Sequence, residues 1–140
     1  MKKIVIVLLV VIVLCSSACY VRNMKLEEES DEIFVASDGS WFSSFEVVGE
    51  RVNFYCRIRI RNTTNEAQEI SVFGNFAEDV AGGLVKEAII LGCDSKDPSI
   101  TTFTIPPGDV DIQIVFSGTF AGNMQKQNRL LPELEIIKLE

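Results

Sequence analysis

The 140-residue sequence contains no histidine. Histidine exchanges a proton near neutral pH more readily than other side chains, and it activates the nucleophile in Ser-His-Asp and Cys-His sites. Its absence excludes both arrangements, and it also excludes His-ligated zinc. The motifs G-x-G-x-x-G, H-E-x-x-H and G-x-S-x-G and the Walker loop are missing as well. We therefore predict a protein that is not an enzyme, needs no cofactor and binds no metal.

Positive charge is also scarce. The chain has 13 Lys and Arg against 20 Asp and Glu, which gives a formal net charge of −7. A surface of that sign repels phosphate backbones, and no basic run with interleaved aromatic residues offsets it. We therefore expect no nucleic-acid partner.

The N-terminus combines a positive head, an apolar run and a stretch of small residues. Lys2 and Lys3 precede residues 4–14, which are all apolar, as in a secretory signal. Residues 16–19 (SSAC) resemble the lipobox of bacterial lipoproteins, in which the cysteine receives a diacylglyceryl group. The resemblance implies that residues 1–18 are a signal peptide and that Cys19 is the lipidation site.

Two other fates of this segment remain open. Residues 4–21 carry no charge, and this length is barely enough for a helix that stays in the membrane as an anchor. Cleavage after Ala18 without lipidation would instead release a secreted protein. In all three cases the rest of the chain lies outside the cytoplasm. We expect an extracytoplasmic protein attached to the cell membrane through a lipid or an N-terminal helix, with secretion as the alternative.

Residues 19–32 are interpreted as an acidic tether. The run Glu27-Glu28-Glu29 is followed closely by Asp31 and Glu32, and the segment shows no apolar period. Like charges repel one another and extend such a chain.

From Ile33 onward, apolar residues recur with a period of two. The clearest case is residues 51–61 (RVNFYCRIRIR), in which apolar and polar residues alternate as in a half-buried strand. Gly49-Glu50 predicts a two-residue type II′ hairpin before that strand. Further strands are predicted at residues 40–48, 67–76, 84–91, 112–116 and 134–139. Seven or eight strands without a strong helix predict an all-β domain at residues 33–140, specifically an antiparallel immunoglobulin-like β-sandwich, with a small barrel as the alternative.

Two turns separate strands within this domain. Residues 62–65 (NTTN) consist of side chains that bond their own backbone, and residues 106–109 (PPGD) place proline and glycine where a type II turn needs them. Asn62-Thr63-Thr64 also matches the N-glycosylation acceptor pattern, which we interpret as turn composition.

A second resemblance covers about two-thirds of the chain. The segments FYCRIRIRNTTNEAQEISVFGNF and TIPPGDVDIQIVFSGTF are similar to immunoglobulin-like domains of bacterial surface lipoproteins. In those domains one strand ends in asparagine and a polar turn, and a Pro-Gly-acidic turn introduces a late apolar strand. The resemblance implies a cell-envelope protein with an immunoglobulin-like fold.

The outward positions of the clearest strand form the candidate partner surface: Tyr55, Arg57, Arg59 and Arg61. Arginine and tyrosine often anchor protein interfaces. The alternative, which we favour, is that these arginines pair with acidic residues on neighbouring strands, such as Glu46 or Glu69. If the surface binds a partner, reversing the charge of Arg59 should weaken binding without unfolding the domain.

Cys56 and Cys93 are the two cysteines of the domain. An exported protein can form a disulfide between them. Two free thiols are the favoured alternative, because Cys56 belongs to the core-facing set of its strand.

Carboxylates offer the remaining chemistry. An enzyme working with carboxylates alone would use Glu78, Asp79 and Glu87, although their spacing does not support it. Four aspartates are the nearest approach to calcium ligands: Asp94, Asp97, Asp109 and Asp111. Their spacing differs from that of an EF-hand loop, so turns are predicted there instead.

These observations predict a membrane-tethered cell-envelope lipoprotein whose domain is a non-catalytic binding module for an envelope protein or component. The alternative is a structural or assembly accessory subunit of an envelope complex. Loops and sheet faces on a rigid β framework suit recognition more than chemistry.

Overall fold

The structure is a computed structural model that describes residues 32–124 and 129–140. The predicted signal peptide or anchor (residues 1–18), Cys19 and residues 20–31 of the predicted tether lie outside the described residues. The described residues contain no helix that could span a bilayer.

The described residues form seven strands and one short helix. In chain order the elements are β1 (Ile33–Val48), β2 (Arg51–Asn62), β3 (Gln68–Asn75), α1 (Ala77–Ala81), β4 (Ile89–Asp94), β5 (Phe103–Ile105), β6 (Gly108–Thr119) and β7 (Glu133–Lys138). Every strand pair is antiparallel. The all-β class predicted from the alternating pattern is confirmed.

The strands are hydrogen-bonded in the order β1-β2-β6-β4-β3-β5, and β7 pairs with β3. β4 changes its partner midway: its first half pairs with β3 and its second half pairs with β6. This strand therefore links the β1-β2-β6 group to the β3-β5-β7 group. Strands β1 and β7 also contact each other.

The β1–β2 hairpin turns at Gly49 and Glu50, as predicted. Val48 lies opposite Arg51, so the loop has two residues. Gly49 has a φ of 59°, and no other described residue except a glycine has a positive φ. A positive φ at the first loop residue alone matches the predicted type II′ turn.

The core lies on one face of β2 and continues across the other strands. Val52, Phe54, Cys56, Ile58 and Ile60 alternate along β2 and are each at most 2% exposed. Each buried phenylalanine or isoleucine contributes about 1.5–3 kcal/mol through removal of apolar surface from water. The other strands contribute further buried residues to the same cluster: Ile70, Val72, Ile90, Phe103, Ile105, Ile114 and Phe116.

Several element boundaries differ from the predicted ones. Residues 84–88 form no strand, because Leu84 and Val85 are buried side by side and therefore lack the outward position that alternation requires. α1 occupies part of the segment between β3 and β4 and ends at Ala81, with Gly82 as its C-cap. β1 begins at Ile33, seven residues before its predicted start. A bulge interrupts the alternation of β1, so the sequence pattern did not reveal the first part of this strand. The short β5 was absent from the predicted strands.

Candidate functional site

The predicted partner surface lies on one outward face, which we call the arginine face. Its β2 members are those predicted: Tyr55, Arg57, Arg59 and Arg61. All four alternate with the buried residues of β2 and are partly exposed. β6 places Asp111 opposite Arg59 and Asp109 opposite Arg61. Side chains directly opposite one another in an antiparallel pair project to the same face.

Two aspartates of β6 hold the three arginines. Arg57 Nη2 donates to Asp111 Oδ2 at 2.7 Å, and Arg59 Nε donates to Asp111 Oδ1 at 2.8 Å. Arg61 Nε donates to Asp109 Oδ1 at 2.8 Å. The hydrogen bonds from Arg59 and then Arg57 lower the pKa of Asp111 to about 2, and the hydrogen bond from Arg61 lowers the pKa of Asp109.

Asp38 of β1 is a third, more distant acid on this face. Its Oδ2 lies 4.0 Å from Arg59 Nη1 and 3.9 Å from Arg61 Nη2. Three arginines and three aspartates therefore balance in charge. The arginine face is a neutralised ladder of charges rather than a patch of positive potential.

Cross-strand pairing is present, but with partners other than Glu46 or Glu69. Glu46 accepts a hydrogen bond from the Tyr55 hydroxyl at 2.6 Å, and this bond is the main cause of the raised pKa of Tyr55. Glu69 lies on β3, which is not a neighbour of β2. The neighbour is β6, so its aspartates meet the arginines.

Aromatic side chains of β1 cover the arginines on the other side. Trp41 lies opposite Arg57, whose Cζ is 4.9 Å from the indole ring centroid. Phe34 lies opposite Arg61, whose Cζ is 5.8 Å from the phenyl ring centroid. These are cation–π distances. Trp41 remains 48% exposed, so its ring can still be contacted from solvent.

A bulge in β1 fits the backbone around Arg59. The register shifts between Ala36 and Trp41, and Ser40 Oγ there donates to the Ala36 carbonyl at 2.7 Å and accepts the Arg59 backbone N–H at 2.9 Å. A Cβ atom on Gly39 would lie 2.4 Å from Arg59 Nε. With any other residue at position 39, the Arg59 guanidinium would have to move away from the chain.

A shallow groove of about 270 Å³ opens between Trp41 and the end of β4. Its lining includes five polar or aromatic residues from β1, β2, β6 and the chain just after β4: Trp41, Tyr55, Arg57, Ser95 and Gln113. Within the described part of the chain, Arg57 Nε is buried and has no acceptor. The groove thus offers a ring to stack on and a side-chain amide, which suits binding.

Cys56 and Cys93 are free thiols on opposite faces of the sheet. Cys56 lies opposite Ile114 and Cys93 lies opposite Val115, which are consecutive residues of β6. Because β6 separates them, their Cα atoms are about two strand spacings apart, or roughly 9.6 Å. A disulfide needs less than about 7 Å. Burial raises the pKa of Cys56 to about 12 and is the main cause of the raised pKa of Cys93.

The carboxylates considered for catalysis are engaged separately. Glu87 accepts hydrogen bonds from the Thr119 backbone N–H at 2.7 Å and from its hydroxyl at 2.6 Å, and these bonds lower its pKa. Asp79 on α1 forms an ion pair with Arg129. The structure shows no pairing of Glu87 with Asp79 or Glu78.

The Asp79–Arg129 pair lies beside a cavity of about 540 Å³. The Arg129 guanidinium lies 4.6 Å from the ring centroid of Phe45 and 5.5 Å from that of Phe54. The cavity is lined by the end of β3, α1, residues 129–133 and the side chains of Phe42 and Phe54. The sequence did not predict this cavity. Arg129 lies outside the strands, so no alternation of apolar and polar residues indicates where its side chain points.

The aspartates considered for calcium have structural roles. Asp94 Oδ1 accepts the backbone N–H of Lys96 at 2.8 Å, and Asp97 Oδ1 accepts that of Ser99 at 3.0 Å. Asp109 and Asp111 bind arginines, as described above. Within residues 32–124 and 129–140, no three His, Cys, Asp or Glu side chains converge as metal ligands would.

Asn62 has an unexpected position at the end of β2. Its side chain is buried, and Nδ2 donates to the carbonyls of Glu66 and Ile105 at 2.9 Å each. Its Oδ1 accepts from Thr64 N at 3.0 Å and from Thr64 Oγ1 at 2.7 Å. An amide with both ends bound inside the fold fixes the turn and is not available to a glycan.

No protein-family model, curated protein or solved structure matches this chain.

Proposed function

We propose that this chain is a membrane-tethered cell-envelope lipoprotein whose β domain is a non-catalytic binding module. The signal-like residues 1–18 and the lipobox-like position of Cys19 support export and anchoring. The all-β fold agrees with the immunoglobulin-like resemblance of the sequence. In this proposal the domain is a β-sandwich, with β1, β2 and β6 in one layer, β3, β5 and β7 in the other, and β4 shared between them.

The observation that carries the binding role is Trp41 on the arginine face. A half-exposed tryptophan stacked on a guanidinium presents a large, flat, amphipathic surface. Asp111 already holds Arg57 and Arg59, so little side-chain entropy remains to be lost when a partner binds. Tryptophan, tyrosine and arginine are the residue types that dominate interface energetics.

The proposed partner is an envelope protein or another envelope component that lies flat on this face. Because the arginines are neutralised by aspartates, the partner need not be anionic. Contact with the Trp41 ring and with the groove beside Gln113 is expected to dominate the affinity.

Anchoring is tested by mass spectrometry of the protein isolated from its native membranes. The expected mature N-terminus is Cys19 with a diacylglyceryl group. An unmodified chain that retains Met1 and fractionates with the cytosol would contradict the proposal.

Binding is tested by capture from detergent-solubilised envelopes, followed by affinity measurement with the purified captured component. Trp41→Ala is expected to weaken that affinity at least tenfold, as a hot-spot truncation does. Val48→Ala is the matched control, because Val48 is also an exposed apolar residue of β1 but lies opposite Arg51, about 20 Å along β2 from Arg57. Equal affinity of the wild type and Trp41→Ala would overturn the proposal.

Charge reversal of Arg59, suggested by the sequence, is a poor test of this surface. A glutamate there would face Asp111 and Asp38, so it would disturb the fold as well as the surface.

A further inference from the structure

A second outward face, formed by β3, β4 and β7, carries an apolar strip. We define the strip by its four large residues: Phe73, Ile89, Leu91 and Ile137. Phe73 of β3 lies between two neighbours: Leu91 of β4 is opposite it on one side, and Glu135 of β7 is opposite it on the other. Ile89 and Ile137 are two residues from Leu91 and Glu135, so strand alternation keeps them on the same face. The intervening residues, such as Ile90 and Leu134, pack on the core.

The strip is exposed to solvent. Ile89 is 57% exposed, Leu91 is 40% exposed and Ile137 is 39% exposed. Isolated exposed apolar residues are common in soluble domains, but neighbouring ones on one sheet face mark contact surfaces. The core-facing side chains of the same strands are much less exposed than these three, for example Ile90 at 6%.

Acidic side chains flank the strip: Glu69, Glu133 and Glu135. None of the six ion pairs identified among the described residues involves these three carboxylates. The aspartates of the arginine face are instead neutralised within the fold. The strip is therefore an apolar surface flanked by three carboxylates that the ion pairs of the described residues do not use.

This charge selects among the occupants that could cover the strip. A second copy would bring the same carboxylates against these, and each chain carries a formal net charge of −7. An anionic lipid surface would be repelled in the same way. A protein with aliphatic side chains and a lysine or arginine rim satisfies both the apolar strip and the acidic flank.

We propose that the β3-β4-β7 face docks a partner protein through an aliphatic patch rimmed by basic residues. This interface is independent of the arginine face. It would make the domain a two-sided module that contacts one molecule on each face.

The test uses the full chain in the membranes of the cells that produce it. A photo-crosslinking phenylalanine analogue replaces Leu91, and the matched control carries the same analogue at Gln113 on the arginine face. We expect position 91 to crosslink to one protein that position 113 does not reach. That protein, once purified, should bind the full chain, and the Ile89→Ser, Leu91→Ser double variant should weaken the affinity at least tenfold.

A second variant tests the charged rim without touching the apolar strip. The Glu133→Gln, Glu135→Gln double variant should weaken binding severalfold at low salt and flatten its salt dependence. Crosslinks to lipid, to another copy or within the chain, an absence of any crosslink at position 91, or unchanged affinity of both double variants would overturn the inference. Crosslinking at position 113 alone would support the arginine face of the proposed function and reject the β3-β4-β7 face. Crosslinking at position 91 alone would support the β3-β4-β7 face and count against the arginine face.

Discussion

Arg59 of β2 and Asp111 of β6 lie directly opposite each other and are joined by two hydrogen bonds. Arg59 Nε donates to Asp111 Oδ1 at 2.8 Å, and Arg59 Nη2 donates to Oδ2 at 3.2 Å. Asp111 also accepts from Arg57 at 2.7 Å. One carboxylate thus fixes two guanidinium groups, which holds the arginine face in one arrangement.

This relationship predicts a loss of stability in acid. The folded-state pKa of Asp111 is about 2, below its ordinary value of 3.8, because Arg59 and Arg57 bind the charged form. A depressed pKa stabilises the fold above the unfolded-state value, and that contribution disappears as pH falls through the folded-state value. The free energy of unfolding from urea titrations should therefore fall between pH 4 and pH 2. Asp111→Asn should lose less over the same interval, and equal losses would contradict the assignment.

Thiol reactivity should differ sharply between the two cysteines of the domain. Cys56 is buried and its pKa is about 12, whereas Cys93 is only partly buried and hydrogen-bonds the Val115 carbonyl. The thiolate is the reactive form, so iodoacetamide should modify Cys93 slowly and Cys56 only after unfolding. Mass spectrometry of the peptides that contain each of these cysteines, before and after denaturation, checks both.

The same experiment tests the disulfide alternative. A bridged protein would take up no iodoacetamide at either position, even in denaturant, until a reductant is added. The separation across β6 predicts uptake at both positions in denaturant alone.

The alternation along β2 was sufficient to predict that strand, its two faces and the hairpin that precedes it. Periodicity is a local property, and in residues 51–61 it is unbroken. The identity of the neighbouring strand is not local. β6 pairs with β2 across about fifty residues of chain, and Glu69 on β3 offered an acid of equal charge nearer in sequence. Only packing of the whole sheet decides between them.

Two other features were hidden for different physical reasons. The bulge before Trp41 breaks the alternation of β1, so the sequence does not show that Trp41 meets Arg57. Asparagine is usually exposed, and Asn62 stands in a polar run typical of a surface turn. Its burial becomes evident only when β5 supplies the Ile105 carbonyl.

Replacing Asn62 should test its role in the fold. Asn62→Asp puts an acceptor where two carbonyls need a donor, so it should destabilise the domain by about 3 kcal/mol or more. Asn65→Asp makes the same chemical change at an exposed position of the same turn and should stay within about 0.5 kcal/mol of the wild type. Chemical denaturation measures both, and similar effects of the two variants would contradict the structural role of Asn62.

The close passage of Gly39 over Arg59 gives the sharpest test of the arginine face. A methyl group at Gly39 would lie 2.4 Å from Arg59 Nε, and Asp111 prevents the guanidinium from moving away freely. Gly39→Ala should therefore destabilise the domain by about 1–3 kcal/mol, as overpacking does elsewhere.

A double-mutant cycle separates this contact from any general sensitivity of the bulge. In the Arg59→Ala background the clashing atoms are gone, so adding Gly39→Ala should cost little further stability. Each variant is measured by urea denaturation at neutral pH, where Asp111 is charged. If Gly39→Ala destabilises both backgrounds equally, the strain arises in the β1 backbone and the guanidinium is not what requires glycine at this position.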